Sequence, residues 1–156
     1  MKKLAAIAAA LTMLLGLTAC SISGKSVTVW RAVSPYYLES GSAVQSEPVS
    51  VNASLSEIEA AVEAFNSDTT DAELIRALPE GVDITGWELN GTALRLNVSA
   101  EYASVTGYWR SIGDACMALT FCAIDGVESV SVYSGDTMLT ASMTSEDIVL
   151  TDASTA

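Results

Sequence analysis

Positions 92–99 carry the plainest alternation in the chain: Leu94, Leu96 and Val98 are apolar, and Ala93, Arg95 and Asn97 between them are small or polar. A period of two turns every second side chain to one face, so the segment predicts a strand buried on one side and wet on the other. Asn90-Gly91 stands before it and 82–89 before that, which predicts a hairpin closed by a type I′ turn. Gly86 breaks the alternation of the first arm and marks a bulge. Residues 26–34 are β-branched, aromatic and partly alternating, and predict another strand. A further strand at 127–134 sets Val130 and Val132 on one face, and Gly135-Asp136 turns it into a last strand at 137–142.

Two stretches change the period to that of a helix. Leu55, Ile58, Val62 and Phe65 form one apolar stripe, opened by a capping box of Ser54 with Glu57, with Ser56 and Glu59 as an alternative frame, and closed by Asn66-Ser67-Asp68. Val105, Trp109, Ile112, Cys116, Leu119 and Ala123 form a second stripe over 104–124, which places Trp109 in the core, and Gly126 follows as a C-cap. A shorter helical turn is expected over 71–77, stopped by Pro79 and Gly81. Residues 35–53 read as a hairpin-like excursion with short strands at 36–38 and 49–51. Pro48 cannot donate to a ladder, which confines its strand to an edge. The order β-α-β-β-α-β plus a C-terminal strand predicts an α+β domain over 26–142: a mixed or antiparallel sheet with two main helices on one face. The tail at 143–156 is acidic, then rich in Ser, Thr and Ala, and is expected to be flexible.

The first residues belong to a different pattern. Lys2 and Lys3 precede a run of Ala, Leu, Ile and Met from 4 to 17, broken by Thr12 and Gly16, and Leu17-Thr18-Ala19-Cys20 follows. A positive start, a short apolar run and small residues are the layout of a secretory signal, too short to span a bilayer comfortably. The cysteine directly after Leu-Thr-Ala resembles a bacterial lipobox. That resemblance implies lipidation of Cys20, a signal peptide over 1–19, a lipid-anchored tether over 20–25, and a place on the extracytoplasmic face of the cell membrane. Two acyl chains suffice for stable anchoring, at about 0.8 kcal/mol per buried CH₂.

Charge narrows the partners. Removing Lys2 and Lys3 takes the formal net charge from −12 to −14. Such a surface repels nucleic acid and anionic headgroups, so the membrane is met through the anchor and nucleic acid is not a partner. The chain has no histidine, which removes the commonest general base and transition-metal ligand. Cys116 and Cys122 lie six apart in one predicted helix, roughly 9 Å along its axis at about 1.5 Å per residue, too far for a disulfide. Asp68, Asp71 and Glu73 with Asn66 faintly suggest a calcium loop, but the glycine at the sixth position and the glutamate at the twelfth are missing. A glycosidase-type acid pair among Glu88, Glu101 and Asp114 would need a separation that spacing alone does not supply. No catalytic, cofactor-binding or metal-binding residue is therefore assigned. Tyr36 and Tyr37, in the excursion, and Val51, on the edge that Pro48 defines, are the candidate interaction surface, since tyrosine is enriched at interfaces and edges recruit strands.

A family resemblance runs through these segments. Val27-Thr28-Val29-Trp30, the helical Ala60 to Phe65, and Ala77-Leu78-Pro79-Glu80-Gly81-Val82 are similar to the GerM-type (GerMN) sporulation and spore-germination domain. So are Leu89-Asn90-Gly91-Thr92-Ala93-Leu94-Arg95-Leu96-Asn97-Val98-Ser99, Met117-Ala118-Leu119-Thr120 and Gly126-Val127-Glu128-Ser129-Val130-Ser131-Val132. The weight lies in the order and spacing of these pieces. The resemblance implies a secreted or lipid-anchored protein of Gram-positive, often spore-forming bacteria, with no associated catalytic residues. Two features depart from the family pattern: Asn66-Ser67-Asp68-Thr69-Thr70 replaces a Gly-Pro pair after the first helix, and the chain has room for one copy where some members carry two. The expectation is a non-enzymatic envelope protein acting by assembly with a protein partner, in sporulation or germination. The alternative is a ligand-binding lipoprotein presenting a small solute or cell-wall fragment to a membrane complex.

Overall fold

The computed structural model describes residues 24–149, with the backbone alone at 38–40. Cys20, the signal segment and the end of the tail lie outside the described residues. The first strand, β1 (Gly24–Val33), pairs antiparallel with β2 (Val44–Asn52) along almost its whole length, from Gly24 opposite Asn52 to Ala32 opposite Val44. The strand thus begins inside the expected tether. Lys25 sits in the ladder opposite Val51, and its Nζ donates to the Leu55 carbonyl at 3.0 Å. Between the two strands the excursion holds a 3-10 turn at Pro35–Ser40, where short strands at 36–38 were expected. Pro48 lies on β2, which is an edge, as the missing N–H requires.

Helix α1 (Glu57–Asn66) starts in the second capping frame. The Ser56 Oγ accepts the Glu59 N–H, and the Glu59 carboxylate accepts the Ser56 N–H at 2.9 Å. Ser54 is unavailable for that role because its N–H and hydroxyl both donate to Asn52 Oδ1. The helix buries Ile58, Ala60, Ala61, Ala64 and Phe65. Three alanines on that face let it lie close to β1 and β2.

Residues 71–77 do not form the helical turn expected of them. They carry the two-residue strand β3 (Leu74–Ile75), antiparallel to β1, with Val33 opposite Leu74. The free edge of β1 wins over local helix propensity here, because pairing buries Leu74 and gives the Ser34 N–H the Glu73 carbonyl at 2.8 Å.

The hairpin of β4 (Ile84–Asn90) and β5 (Ala93–Val98) is in place, with a register shift between Ile84 and Gly86 where the bulge was expected. Its turn is displaced by one residue from the type I′ reading. Asn90 is the last paired residue, opposite Ala93, so the loop is Gly91 and Thr92. Gly91 has φ +64°, and every positive φ in the described chain belongs to a glycine. Positive φ at the first loop residue alone is the sign pattern of a type II′ turn.

Helix α2 (Gly107–Phe121) crosses from β5 to the parallel strand β6 (Ser129–Ser134), and β7 (Thr137–Met143) returns antiparallel. A 3-10 turn at Ser145–Asp147 follows, capped by Thr144, so the first residues of the expected flexible tail are structured. The α2 stripe is rotated from the expected one. Ile112, Gly113, Cys116, Met117, Thr120 and Phe121 are buried, whereas Trp109 is 40% exposed and Ala123 is exposed.

The class is α+β, with two sheets in place of one: β2-β1-β3, antiparallel, and β4-β5-β6-β7, mixed. The helices do not line one face of a single sheet. Helix α1 touches β1, β2 and β4, and α2 touches β1 and β6, so both helices contribute to a core shared by the two sheets. Thr120 of α2 shows how closely helix and strand approach, its buried Oγ1 accepting the Trp30 N–H of β1 at 2.8 Å beyond the point where β3 stops. No helix among the described residues is long and apolar enough to cross a membrane.

Candidate functional site

The structure separates the three residues of the candidate interaction surface. Tyr36 is 90% exposed and Tyr37 47%, both on the 3-10 turn that leads from β1 towards the edge strand β2. Val51 is only 6% exposed and belongs to the core. Strand periodicity explains the correction: Glu47, Val49 and Val51 share the inward face of β2, and Ser46, Pro48 and Ser50 face solvent. The edge reading of β2 stands, but its outward surface is polar and Val51 is not part of it.

The most deeply buried polar group is one that spacing did not single out. Arg31, on β1, has no solvent exposure. Its Nε donates to Glu47 Oε2 at 2.8 Å, its Nη1 to the Phe65 carbonyl at 2.9 Å, and its Nη2 to the Ala64 carbonyl at 2.9 Å and Ser67 Oγ at 3.2 Å. A cation there meets the carbonyl end of α1, where the helix dipole favours it. Glu47 in turn accepts the Thr69 hydroxyl at 2.7 Å and the Thr70 N–H at 3.1 Å. Burial works to raise the Glu47 pKa, but the hydrogen bonds from Thr69, Arg31 and Thr70 and the Arg31 charge together hold it below its ordinary value. The sequence signal was present, a charged residue in a β-branched strand, but nothing in one dimension pairs Arg31 with Glu47.

Of the residues weighed for calcium, Asn66 and Asp71 are engaged within the fold. Asn66 replaces a strand partner for β4, its Nδ2 donating to the Ile84 carbonyl and its Oδ1 accepting the Ile84 N–H, both at 2.9 Å. Asp71 accepts the Glu73 N–H at 2.8 Å. Among the described residues, no three acidic or cysteine side chains converge on a point that could hold a metal ion.

The three weighed carboxylates are on different elements. Glu88 lies opposite Arg95 across the β4–β5 ladder, and Glu101 is exposed on the 3-10 turn Ala100–Ser104. Asp114 on α2 is fully engaged: it accepts the buried Tyr102 hydroxyl at 2.9 Å, Arg110 Nε at 3.0 Å and the Thr140 hydroxyl at 2.8 Å. Burial, then the Asp114 charge and hydrogen bond, push the Tyr102 phenol well above its ordinary value, so it stays protonated. Both thiols are free. Burial pushes the buried Cys116 up to about 12 and also raises Cys122, so neither is an activated thiolate.

A cleft of about 790 Å³ opens between the 75–80 segment and the start of α2, walled by Leu78, Pro79, Val105 and Trp109. Trp109 is braced there by Tyr108, ring centroids 5.3 Å apart and nearly perpendicular. Trp109, expected in the core from its place on the helical stripe, lines this cleft instead.

No protein-family profile matches the chain, and no curated protein does. Among solved structures it is similar to the tandem GerMN domains of the sporulation protein GerM from Bacillus subtilis, with a TM-score of 0.61 and 14% identity over 89% of this chain and 50% of that one. A candidate lipoprotein from Clostridium perfringens matches with a TM-score of 0.45 and 11% identity, over 82% of this chain and 92% of that one. The domain has a GerMN-type fold, and the chain spans about half the length of the GerM structure it resembles.

Proposed function

Proceeding from that fold, we propose that this chain is a non-enzymatic, lipid-anchored envelope protein that works by assembly with a protein partner in sporulation or germination. The observation that carries the reading is the tyrosine pair. Tyr36 and Tyr37 stand out from the turn leading to an edge strand whose outer side pairs with no other strand among the described residues. Aromatic side chains supply contact area at low entropic cost, and an open edge supplies main-chain hydrogen bonds. The likeness to GerM supports the process, and Cys20 supports the anchor through its lipobox-like setting.

Two variants test the two halves of the proposal. Cys20→Ala should move the protein out of the detergent phase or leave unprocessed precursor, and unchanged partitioning sinks the anchor. Tyr36→Glu with Tyr37→Glu should abolish the protein captured by crosslinking in intact cells while leaving the circular dichroism spectrum and lipidation unchanged. Undiminished capture sinks the assembly surface.

A further inference from the structure

The Trp109 cleft combines an apolar wall with charged side chains at its margin. Besides its apolar walls, the cleft is lined by Asp68, Glu80 and Arg76. The Arg76 charge is opposed by Asp83, and its Nη2 also donates to the Val82 carbonyl at 2.9 Å, while its buried Nε has no partner among the described residues. Asp68 and Glu80 are both exposed, and among the described residues neither forms an ion pair. The start of α2 adds a positive end of roughly half a charge, which two unpaired carboxylates outweigh. The whole chain, at −12, reinforces the same sign. A volume of 790 Å³ is within the range of ligand-binding pockets and accommodates more than one side chain. A cation entering it meets the indole of Trp109, the aromatic ring best suited to hold one.

We propose that this cleft binds a basic peptide segment of the protein partner, with a lysine or arginine against Trp109 between Asp68 and Glu80 and flanking aliphatic side chains on Leu78, Pro79 and Val105. The inference rests on the assembly reading and supplies the chemistry of the partner. Electrostatic attraction between the acidic chain and a basic segment speeds encounter, and the apolar wall then slows release.

The test is calorimetric titration of the full chain in detergent with an acetylated, amidated heptapeptide holding two lysines among leucines, against the same peptide with glutamates. The lysine peptide should bind at least about tenfold more tightly, with affinity falling as salt is raised. Trp109→Ala should weaken it by about threefold to tenfold, the span of a cation–π contact. Asp68→Asn with Glu80→Gln should weaken it and flatten its salt dependence. Should Trp109→Ala fail to fold, Trp109→Phe keeps an aromatic wall and should retain binding within about threefold, and the carboxylate pair still decides. No binding, equal binding of the two peptides, preference for the acidic one, or indifference to the carboxylate variants overturns the proposal. Tyr36→Glu with Tyr37→Glu should leave peptide binding unchanged. Loss of the peptide with capture through the tyrosines intact therefore sinks the cleft and spares the assembly reading, and the reverse outcome does the opposite.

Discussion

Two polar clusters in this molecule draw on one inventory, a guanidinium, a carboxylate and hydroxyls, and they differ in depth. In the first, Arg31 and Glu47 join β1, β2 and the end of α1, with side-chain exposures of 0% and 8%. In the second, Arg110 and Asp114 are one turn apart on α2 and reach Tyr102 and Thr140, with exposures of 18% and 14%. In both, the carboxylate accepts from an arginine and a hydroxyl, and in both it is engaged on each of its oxygens. The difference teaches what burial does to the same chemistry. Water can replace a lost partner at the second cluster and cannot at the first. The cleft completes the contrast, since Asp68 and Glu80 there are exposed and form no ion pair among the described residues. An acidic side chain engaged inside the protein is architecture, and an unpaired one beside an exposed tryptophan is available for recognition.

The largest effect expected from this contrast follows Glu47→Ala. It leaves the Arg31 guanidinium buried without its counter-charge and strips the Thr69 hydroxyl and Thr70 N–H of their acceptor. Breaking a buried pair by removing one partner costs about 3–5 kcal/mol. Urea unfolding should show that loss, whereas Asp114→Ala should show distinctly less. Equal losses would mean that depth does not separate the clusters.

A smaller effect probes how tightly the second cluster is built. A Cβ at Gly113 would come within 2.5 Å of the Tyr102 hydroxyl and 3.2 Å of the Ala77 carbonyl. Gly113→Ala therefore pushes Tyr102 away from Asp114, at a cost of about 1–3 kcal/mol for overpacking a core. A gain in melting temperature, as expected for alanine in an unconstrained helix, would show that the cluster yields without strain.

How much of this was legible in the sequence depends on whether the signal was local. The hairpin, the Gly86 bulge and the edge position of Pro48 are each encoded by a few neighbouring residues and are in place, and α1 is capped in the alternative frame, Ser56 with Glu59 in place of Ser54 with Glu57. The turn slipped by one residue because a glycine at the first loop position closes the hairpin as well as Asn-Gly does. What failed was long-range. Leu74 and Ile75 become a strand because β1 has a free edge, and Trp109 lines the cleft at 40% exposure because α2 turns Thr120 towards β1. The pairing of Arg31 with Glu47 spans 16 residues and two strands, and its threonine partners come from beyond α1. The exposure of Tyr36 and Tyr37 was legible from their place in a polar, punctuated segment. Val51 was misjudged because edge position was read as exposure, although an edge strand still has an inward face.

The smallest effect is at neutral pH and grows away from it, and it asks whether the two clusters fail at opposite ends of the pH scale. Glu47 has a folded pKa below its unfolded value of 4.5, so its contribution is complete above that value and is lost as pH falls through the folded pKa. Tyr102 has a folded pKa above its unfolded value of 10.0, so its contribution is complete below that value. It is lost as pH rises and the unfolded chain sheds the phenolic proton that the folded one keeps. Tyr102→Phe removes the hydroxyl and its bond to Asp114, at a cost of about 1.5–3 kcal/mol if the charge-assisted bond counts fully and nearer 1 if Arg110 and Thr140 compensate Asp114. Those two partners remain, which favours the lower figure. Melting temperatures measured across pH should show the wild type declining on both sides and Tyr102→Phe, slightly less stable at pH 7, losing part of the alkaline decline alone. If the phenylalanine variant falls as steeply as the wild type above pH 10, the phenol is not the group that titrates there, and the second cluster is more open to water than its geometry shows.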